Sequence, residues 1–227
     1  MKKSMSKKIS NNIEPFELRN SLTTLKKELK ISLLHCKGLA QAYALRRSVG
    51  LKLNLGCGQN IKNGWINIDL NGQADLTLDL RRPLPFLADS CSVVYSEHFL
   101  EHLSYPDEVI LLLQESYRIL EVSGVFSAGV PDTEWPLRAY FEGARAEYFR
   151  LAKEKWHPKW CKTKMEHINY HFRQGTEHKF AYDLETLKYI LEKCGFTEVK
   201  RRDFDPELDS YDRRQGTLYV DAIKPDL

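Results

Sequence analysis

The sequence predicts an α/β fold built on a mostly parallel sheet with helices on both faces. Three observations carry this expectation. Leu51-Lys52-Leu53-Asn54-Leu55 alternates apolar and polar residues, as a short strand does, and runs at once into Gly56-Cys57-Gly58. Trp65-Ile66-Asn67-Ile68-Asp69 is a second β-branched run and ends in a carboxylate. Further short β-branched runs then alternate with helical stripes. A strand that breaks into Gly-x-Gly lets backbone amides approach a ligand, because glycine has no Cβ in the way. An acid at the tip of the next strand sits where a ribose diol can donate two hydrogen bonds. The layout is that of a nucleoside-binding domain with its ligand at the carboxyl ends of the strands.

A length of 227 residues suits one domain with appendages. We divide it into a basic tail and amphipathic helix over residues 1–50 and an α/β domain over 51–227. The net charge is +3 and lies unevenly. Residues 1–50 carry Lys2, Lys3, Lys7, Lys8, Arg19, Lys26, Lys27, Lys30, Lys37, Arg46 and Arg47 against Glu14, Glu17 and Glu28. Such asymmetry can mark an anionic partner, but a solvated basic face is the commoner cause, and nucleic acid is not the expected partner. No apolar run reaches the length of a membrane span. Met1-Lys2-Lys3-Ser4 lacks the apolar stretch of a secretion signal. Cys36, Cys57, Cys91, Cys161 and Cys194 are odd in number, widely spaced and free of any C-x-x-C pair. Neither a disulfide frame nor a thiolate zinc site is indicated, and a reducing cytoplasm is the expected location.

Residues 1–16 are polar and are expected to be disordered. From Leu22, apolar residues at Leu25, Leu29, Leu33, Cys36, Ala40 and Tyr43 predict an amphipathic helix, interrupted at Gly38, whose stripe packs on the sheet. A dimer contact or an anionic membrane surface is the alternative use of that stripe. Only Gln59 to Gly64 separate the glycine turn from Trp65, too few for the usual crossover helix. Ala74 to Asp79 reads as a third strand and Val93-Val94-Tyr95 as a fourth. Ser104-Tyr105-Pro106-Asp107 opens a helix with the stripe Val109, Leu112, Leu113, Ser116 and Leu120. Val125 to Val130 is a fifth strand. Asp183 caps a helix through Leu187, Ile190 and Leu191 that ends at Gly195. Thr197 to Arg202 and Thr217 to Ile223 complete a seven-stranded, Rossmann-like sheet. Residues 133–180 interrupt this rhythm with aromatics and histidines and form an insertion at the carboxyl edge of the sheet, the natural place for a substrate lid.

Asn54-Leu55-Gly56-Cys57-Gly58, Ile68-Asp69, Asp79-Leu80 and Leu84-Pro85-Phe86 together resemble a class I S-adenosylmethionine-dependent methyltransferase, most closely the small bacterial "type 11" kind. Ser96-Glu97-His98-Phe99-Leu100-Glu101-His102-Leu103 resembles that type's segment after the fourth strand, and Tyr117-Arg118-Ile119-Leu120 with Gly124 resembles its approach to the fifth. The resemblance spans roughly residues 51–132. It implies S-adenosylmethionine as cofactor. Asn54, Gly56, Cys57 and Gly58 would lie at the methionine part, Asp69 and Leu70 at the ribose, Asp79 and Leu80 at the adenine, and Ser96 and Glu97 beside the sulfonium. The missing first helix departs from the family and leaves the methionine carboxylate without the usual helix N-terminus. A nicotinamide-dinucleotide fold would want a third glycine and a later acid than Asp69, and a purely structural turn leaves Asp79 unexplained.

Ser96-Glu97-His98-Phe99 lacks the Asn/Asp-Pro-Pro-Tyr/Phe of amino methyltransferases, and the Pro-Cys pair of pyrimidine-carbon enzymes is missing too. An oxygen on a sugar, glycan or small metabolite is therefore the expected acceptor. Its proton needs a base, for which His98, His171 and His178 are the candidates, with His167 beside them. His167 and His171 lie four apart with Glu166 and His178 near, a spacing compatible with a metal ion; without a strict motif, no metal is assigned. A non-catalytic cofactor-binding module, an RNA-directed methyltransferase and an aminopropyl transferase are the alternatives. A homodimer through the N-terminal helix is compatible with the stripe.

Overall fold

The computed structural model describes residues 15–226. The expected disorder over residues 1–16 therefore falls outside the described residues up to position 14. From Pro15 the chain is helical, in α1 (Pro15–Ala42). The sheet is built from β1 (Leu51–Leu55), β2 (Ile66–Ile68), β3 (Cys91–Glu97), β4 (Leu120–Pro131), β5 (Thr197–Arg202) and β6 (Thr217–Ile223). Its order is β2-β1-β3-β4-β6-β5, with six strands. The first four are parallel, and β6 runs antiparallel to both its neighbours. Helices α2 (Asp107–Ile119) and α6 (Leu184–Lys193) pack on this sheet. Leu53, Leu55, Val94, Phe126 and Val220 are fully buried, as are Leu113 and Ile190 on the two helices.

The sheet has six strands, not the seven expected. Ala74 to Asp79 alternates like a strand but makes one isolated ladder bridge with β2, between Ile68 and Leu76, and a side-chain contact from Asp75 to Asn67. Beyond these contacts its polar groups turn to α1: the Thr77 hydroxyl donates to the Leu34 carbonyl, and the Asp79 amide donates to His35 Nδ1. The segment serves α1 as much as the sheet.

The direct link from β1 to β2 contains no helix, as its length dictates. Asn67 holds it. Its Oδ1 accepts from Asn54 Nδ2 at 2.9 Å and from the Lys62 amide at 2.8 Å, and its Nδ2 donates to the Lys62 carbonyl.

Helix α1 overturns two sequence expectations. It runs straight through Gly38, and the expected stripe does not pack on the sheet: Leu25, Leu29 and Leu33 are 55%, 58% and 73% exposed. The face turned inward is Ile31, His35, Gly38 and Ala42. Gly38 is required by proximity, since an added Cβ would lie 2.2 Å from the Thr77 carbonyl oxygen. Gly38→Ala is therefore expected to destabilise the protein by about 1–3 kcal/mol through overpacking, although alanine is the better helix former. A thermal or denaturant melt more stable than wild type would contradict this docking.

Between β4 and α6 the chain forms α3 (Glu134–Glu142), α4 (Glu147–Leu151), a π-helical turn over Ala152–Trp156, and α5 (Lys164–Arg173). A Thr163–Glu166 capping box starts α5. This insertion has its own small core of Ala139, Tyr148, Phe149, Ala152 and Ile168, against which Trp135 and Trp156 pack. Asp183 caps α6 by accepting from the Thr186 amide. No helix of the described residues is long and apolar enough to cross a membrane.

Candidate active site

The glycine turn after β1 is shaped by two different needs. Gly56 has φ +64°, and a Cβ there would sit 2.2 Å from Phe99 Cγ, so the ring of Phe99 lies directly on the turn. Gly58 has φ +54° with open space around it, so there the backbone conformation alone selects glycine. The Asp69 carboxylate, at the end of β2, ties the turn down. Its Oδ2 accepts from the Gly58 amide at 2.9 Å and its Oδ1 from the Asn71 amide at 3.0 Å.

A cavity of about 490 Å³ opens beside this turn, lined by Gly56, Asp69, Leu70, Asp79, Leu80 and Phe99 among others. Five of the residues expected at a cofactor thus share one hollow. Asn54, Cys57, Gly58, Ser96 and Glu97 are not on its wall. Asn54 is spent on the β1–β2 link, and Cys57 is a buried filler whose thiol is pushed up to about 12, chiefly by burial. The Ser96 side chain is fully buried. Glu97 turns toward the 204–213 loop, where it accepts from the Ser210 amide and the Tyr219 hydroxyl.

Asp79 lines the cavity but its carboxylate is occupied. Burial raises its pKa, yet the Arg81 guanidinium and amide outweigh this and hold it below the usual carboxylate range. Arg81 Nε donates to Asp79 Oδ1 at 2.8 Å, and Arg81 reaches back to Glu28 of α1, also at 2.8 Å. Sequence reasoning missed this bridge, and with it the part α1 plays as a wall through Lys27, Glu28 and Ile31. His102, Leu103, Glu177 and Lys179 complete the far side.

A second cavity, of about 260 Å³, is lined by His98, His171 and His178, with Trp156, Tyr170 and Arg213. The three histidines singled out in the sequence therefore converge. Burial depresses all three: His171 is pushed down to about 4, and His98 well below its ordinary value. Near neutral pH they are uncharged and able to accept a proton. His171 Nε2 donates to the Asp132 carbonyl at 3.1 Å, which leaves Nδ1 as its accepting atom. His167 does not line this cavity; its Nδ1 lies 2.9 Å from Nδ1 of His157, which does.

His157 is pushed down to about 3, first by burial and then by His171 and His167. Its unfolded counterpart titrates near 6.5. The folded state thus binds fewer protons, so its contribution to stability is full above that value and is lost as pH falls toward 3. At pH 5 this one group should cost at most about 2 kcal/mol, less the solvent screening of a half-buried ring. The melting temperature is expected to drop between pH 7.5 and 5, and to drop less in His157→Gln. An equal drop in both would show that His157 is not involved.

Strand order and the glycine turn give a Rossmann-like α/β fold, similar to that of solved S-adenosylmethionine-dependent methyltransferases. A solved SAM-dependent methyltransferase from Methanosarcina mazei aligns with a TM-score of 0.50 and 16% identity over 79% of this chain and 94% of that one. One from Mesorhizobium loti aligns with a TM-score of 0.48 and 19% identity over 81% and 95%. No family model matches the sequence, and no curated protein is detectably similar to it.

Proposed function

We propose that this protein is an S-adenosylmethionine-dependent methyltransferase acting on an oxygen of a sugar, glycan or small metabolite. One observation carries the reading: a hollow walled by Gly56, Asp69, Leu70 and Leu80 stands next to a second, histidine-lined one. About 490 Å³ is within the range of small-molecule sites. Asp69 uses one lone pair of each oxygen on a backbone amide and keeps others for a ribose diol. These residues fit the nucleoside. Bound S-adenosylmethionine would supply a methyl group already activated on a sulfonium.

The chain's own work is then alignment, exclusion of water and proton removal. Positioning of this kind supplies several kcal/mol. The helical insertion over residues 133–180 acts as the lid, bringing Trp156, Tyr170 and His171 over the acceptor. His98, His171 and His178 are the candidate bases, and His171 Nδ1 is the freest of them. Support for an oxygen acceptor comes from these neutral imidazoles and from the missing amino-methyltransferase motif after β3. The exposed stripe from Leu18 to Tyr43 has heptad-like spacing. A second copy of this chain is the partner we assign to it, which light scattering would reveal as twice the monomer mass. The five free thiols fit a reducing, cytoplasmic setting.

The deciding experiment is a mass-spectrometric screen with methyl-labelled cofactor against sugars, glycans and metabolites. Label on an acceptor oxygen supports the reading. Cofactor binding with no S-adenosylhomocysteine from any pool would favour the non-catalytic module, and label in RNA the nucleic-acid alternative.

A further inference from the structure

Four side chains meet where the two cavities approach each other, three of them imidazoles and the fourth a buried carboxyl. Glu101 lies in the 3-10 turn Leu100–His102 after β3 and is 1% exposed. Among the described residues, neither of its carboxylate oxygens has a hydrogen-bond partner. Around it stand three imidazoles. His98 Nδ1 is 3.7 Å from Glu101 Oε1, and His178 Nε2 is 4.0 Å from the same oxygen. One donor atom each from Glu101, His102 and His178 lies within 4.8 Å of the others.

The outer nitrogens fix the tautomers. His178 Nδ1 faces the His171 carbonyl at 3.3 Å, and His102 Nδ1 faces the Glu177 carbonyl at 3.2 Å. A carbonyl only accepts, so both rings are protonated at Nδ1 and keep a lone pair on Nε2. His98 Nε2 is 2.8 Å from the Thr217 hydroxyl, whose own hydrogen goes to the Arg213 carbonyl at 2.6 Å. The threonine oxygen must therefore accept, and His98 presents the lone pair of Nδ1 to Glu101. His98 is held there at φ +53°, a conformation that side chains larger than glycine's rarely adopt.

Lone pairs thus converge on a buried carboxyl whose pKa burial pushes up to about 8, and a single proton there joins it to one ring at most, so the arrangement is costly unless something positive joins them all. Separations of 3.7 and 4.0 Å are too long for hydrogen bonds. They are near the roughly 3.4 Å between two donors sharing a tetrahedral ion at bonds of about 2.1 Å. Each ring also has its outer N–H anchored on a carbonyl or hydroxyl oxygen, the support that orients metal-bound histidines.

We propose that Glu101, His102 and His178, with His98 as fourth donor, bind a divalent transition cation of the zinc or cobalt kind. Imidazole-rich donor sets suit such ions, whereas magnesium takes oxygen ligands and water. The ion would touch both cavities, since His102 lines the first and His98 and His178 the second. Four protein donors close a tetrahedral site, so the ion would brace the wall between the cavities and leave His171 as the base. A lone proton on Glu101 is the competing occupant. It can bond to only one of the imidazoles and leaves the rest opposed. His157, Cys161 and His167 also cluster, but His157 and His167 already share a hydrogen bond and serve as the control.

The test needs no S-adenosylmethionine, so its outcome is separate from that of the methyl-transfer reading. Full-length protein stripped with chelator is titrated with cobalt chloride, followed by its visible absorption, and with zinc chloride in a calorimeter. One ion per chain is expected, with affinity falling about tenfold or more in His102→Ala and Glu101→Gln and unchanged in His157→Ala. If His102→Ala does not fold, His178→Gln serves in its place, with fold checked by circular dichroism. The inference is overturned by an absence of saturable binding, by binding kept in the Glu101 and His102 variants, or by a preference for magnesium chloride over both.

Discussion

Replacing Asp69 with alanine is expected to weaken S-adenosylmethionine binding by at least about a hundredfold. The carboxylate stands at the tip of β2 on the wall of the larger cavity. Hydrogen bonds to a charged group contribute about 1.5–3 kcal/mol each, and a ribose diol would make two, so roughly 3 kcal/mol or more is at stake. A second loss adds to the first, because the Gly58 and Asn71 amides lose their acceptor and the turn loosens. Asp69→Asn separates the two. The amide oxygen can still hold the Gly58 N–H, but the charge is gone and one acceptor has become a donor. Calorimetric titration should rank wild type well above Asp69→Asn, and Asp69→Asn above Asp69→Ala. Equal affinity in all three would move the nucleoside elsewhere.

Turnover is where His171 should matter most. His171→Gln is expected to lower kcat by about 10²–10⁴-fold, the usual worth of a positioned base, while cofactor affinity stays at the wild-type level. His171 lines the histidine-walled cavity and not the cofactor hollow. Burial pushes its pKa down to about 4, so it is neutral throughout the working range. A drop in affinity without a drop in kcat would show a structural role through the Asp132 carbonyl instead.

The parts of this site that were legible in the sequence are those whose chemistry is local. A Gly-x-Gly after an alternating strand and an acid at the end of the next strand each state their purpose within a few residues. Histidines of an insertion at the carboxyl edge of the sheet, and His98 at the end of β3, could be expected to converge, and three of the four candidates do.

What the sequence hid was long-range or inverted in polarity. Hydropathy pointed to the leucine stripe of α1 as its buried face, but close approach to the Thr77 carbonyl favours small side chains, so Gly38 and Ala42 face inward and the leucines outward. Asp-Leu-Thr-Leu-Asp alternates like a strand, and nothing local shows that its amide and hydroxyl groups bond to α1. Glu101 sits in a segment read for its histidines, and a carboxylate there looks solvated until its neighbours across the fold are known.

The most direct test of the account is a crystal structure with S-adenosylhomocysteine. Density in the hollow lined by Gly56, Asp69 and Leu80, with both ribose hydroxyls on the Asp69 carboxylate, is the predicted result. Nucleoside density among His98, His171 and Arg213, or none at saturating ligand, would contradict it.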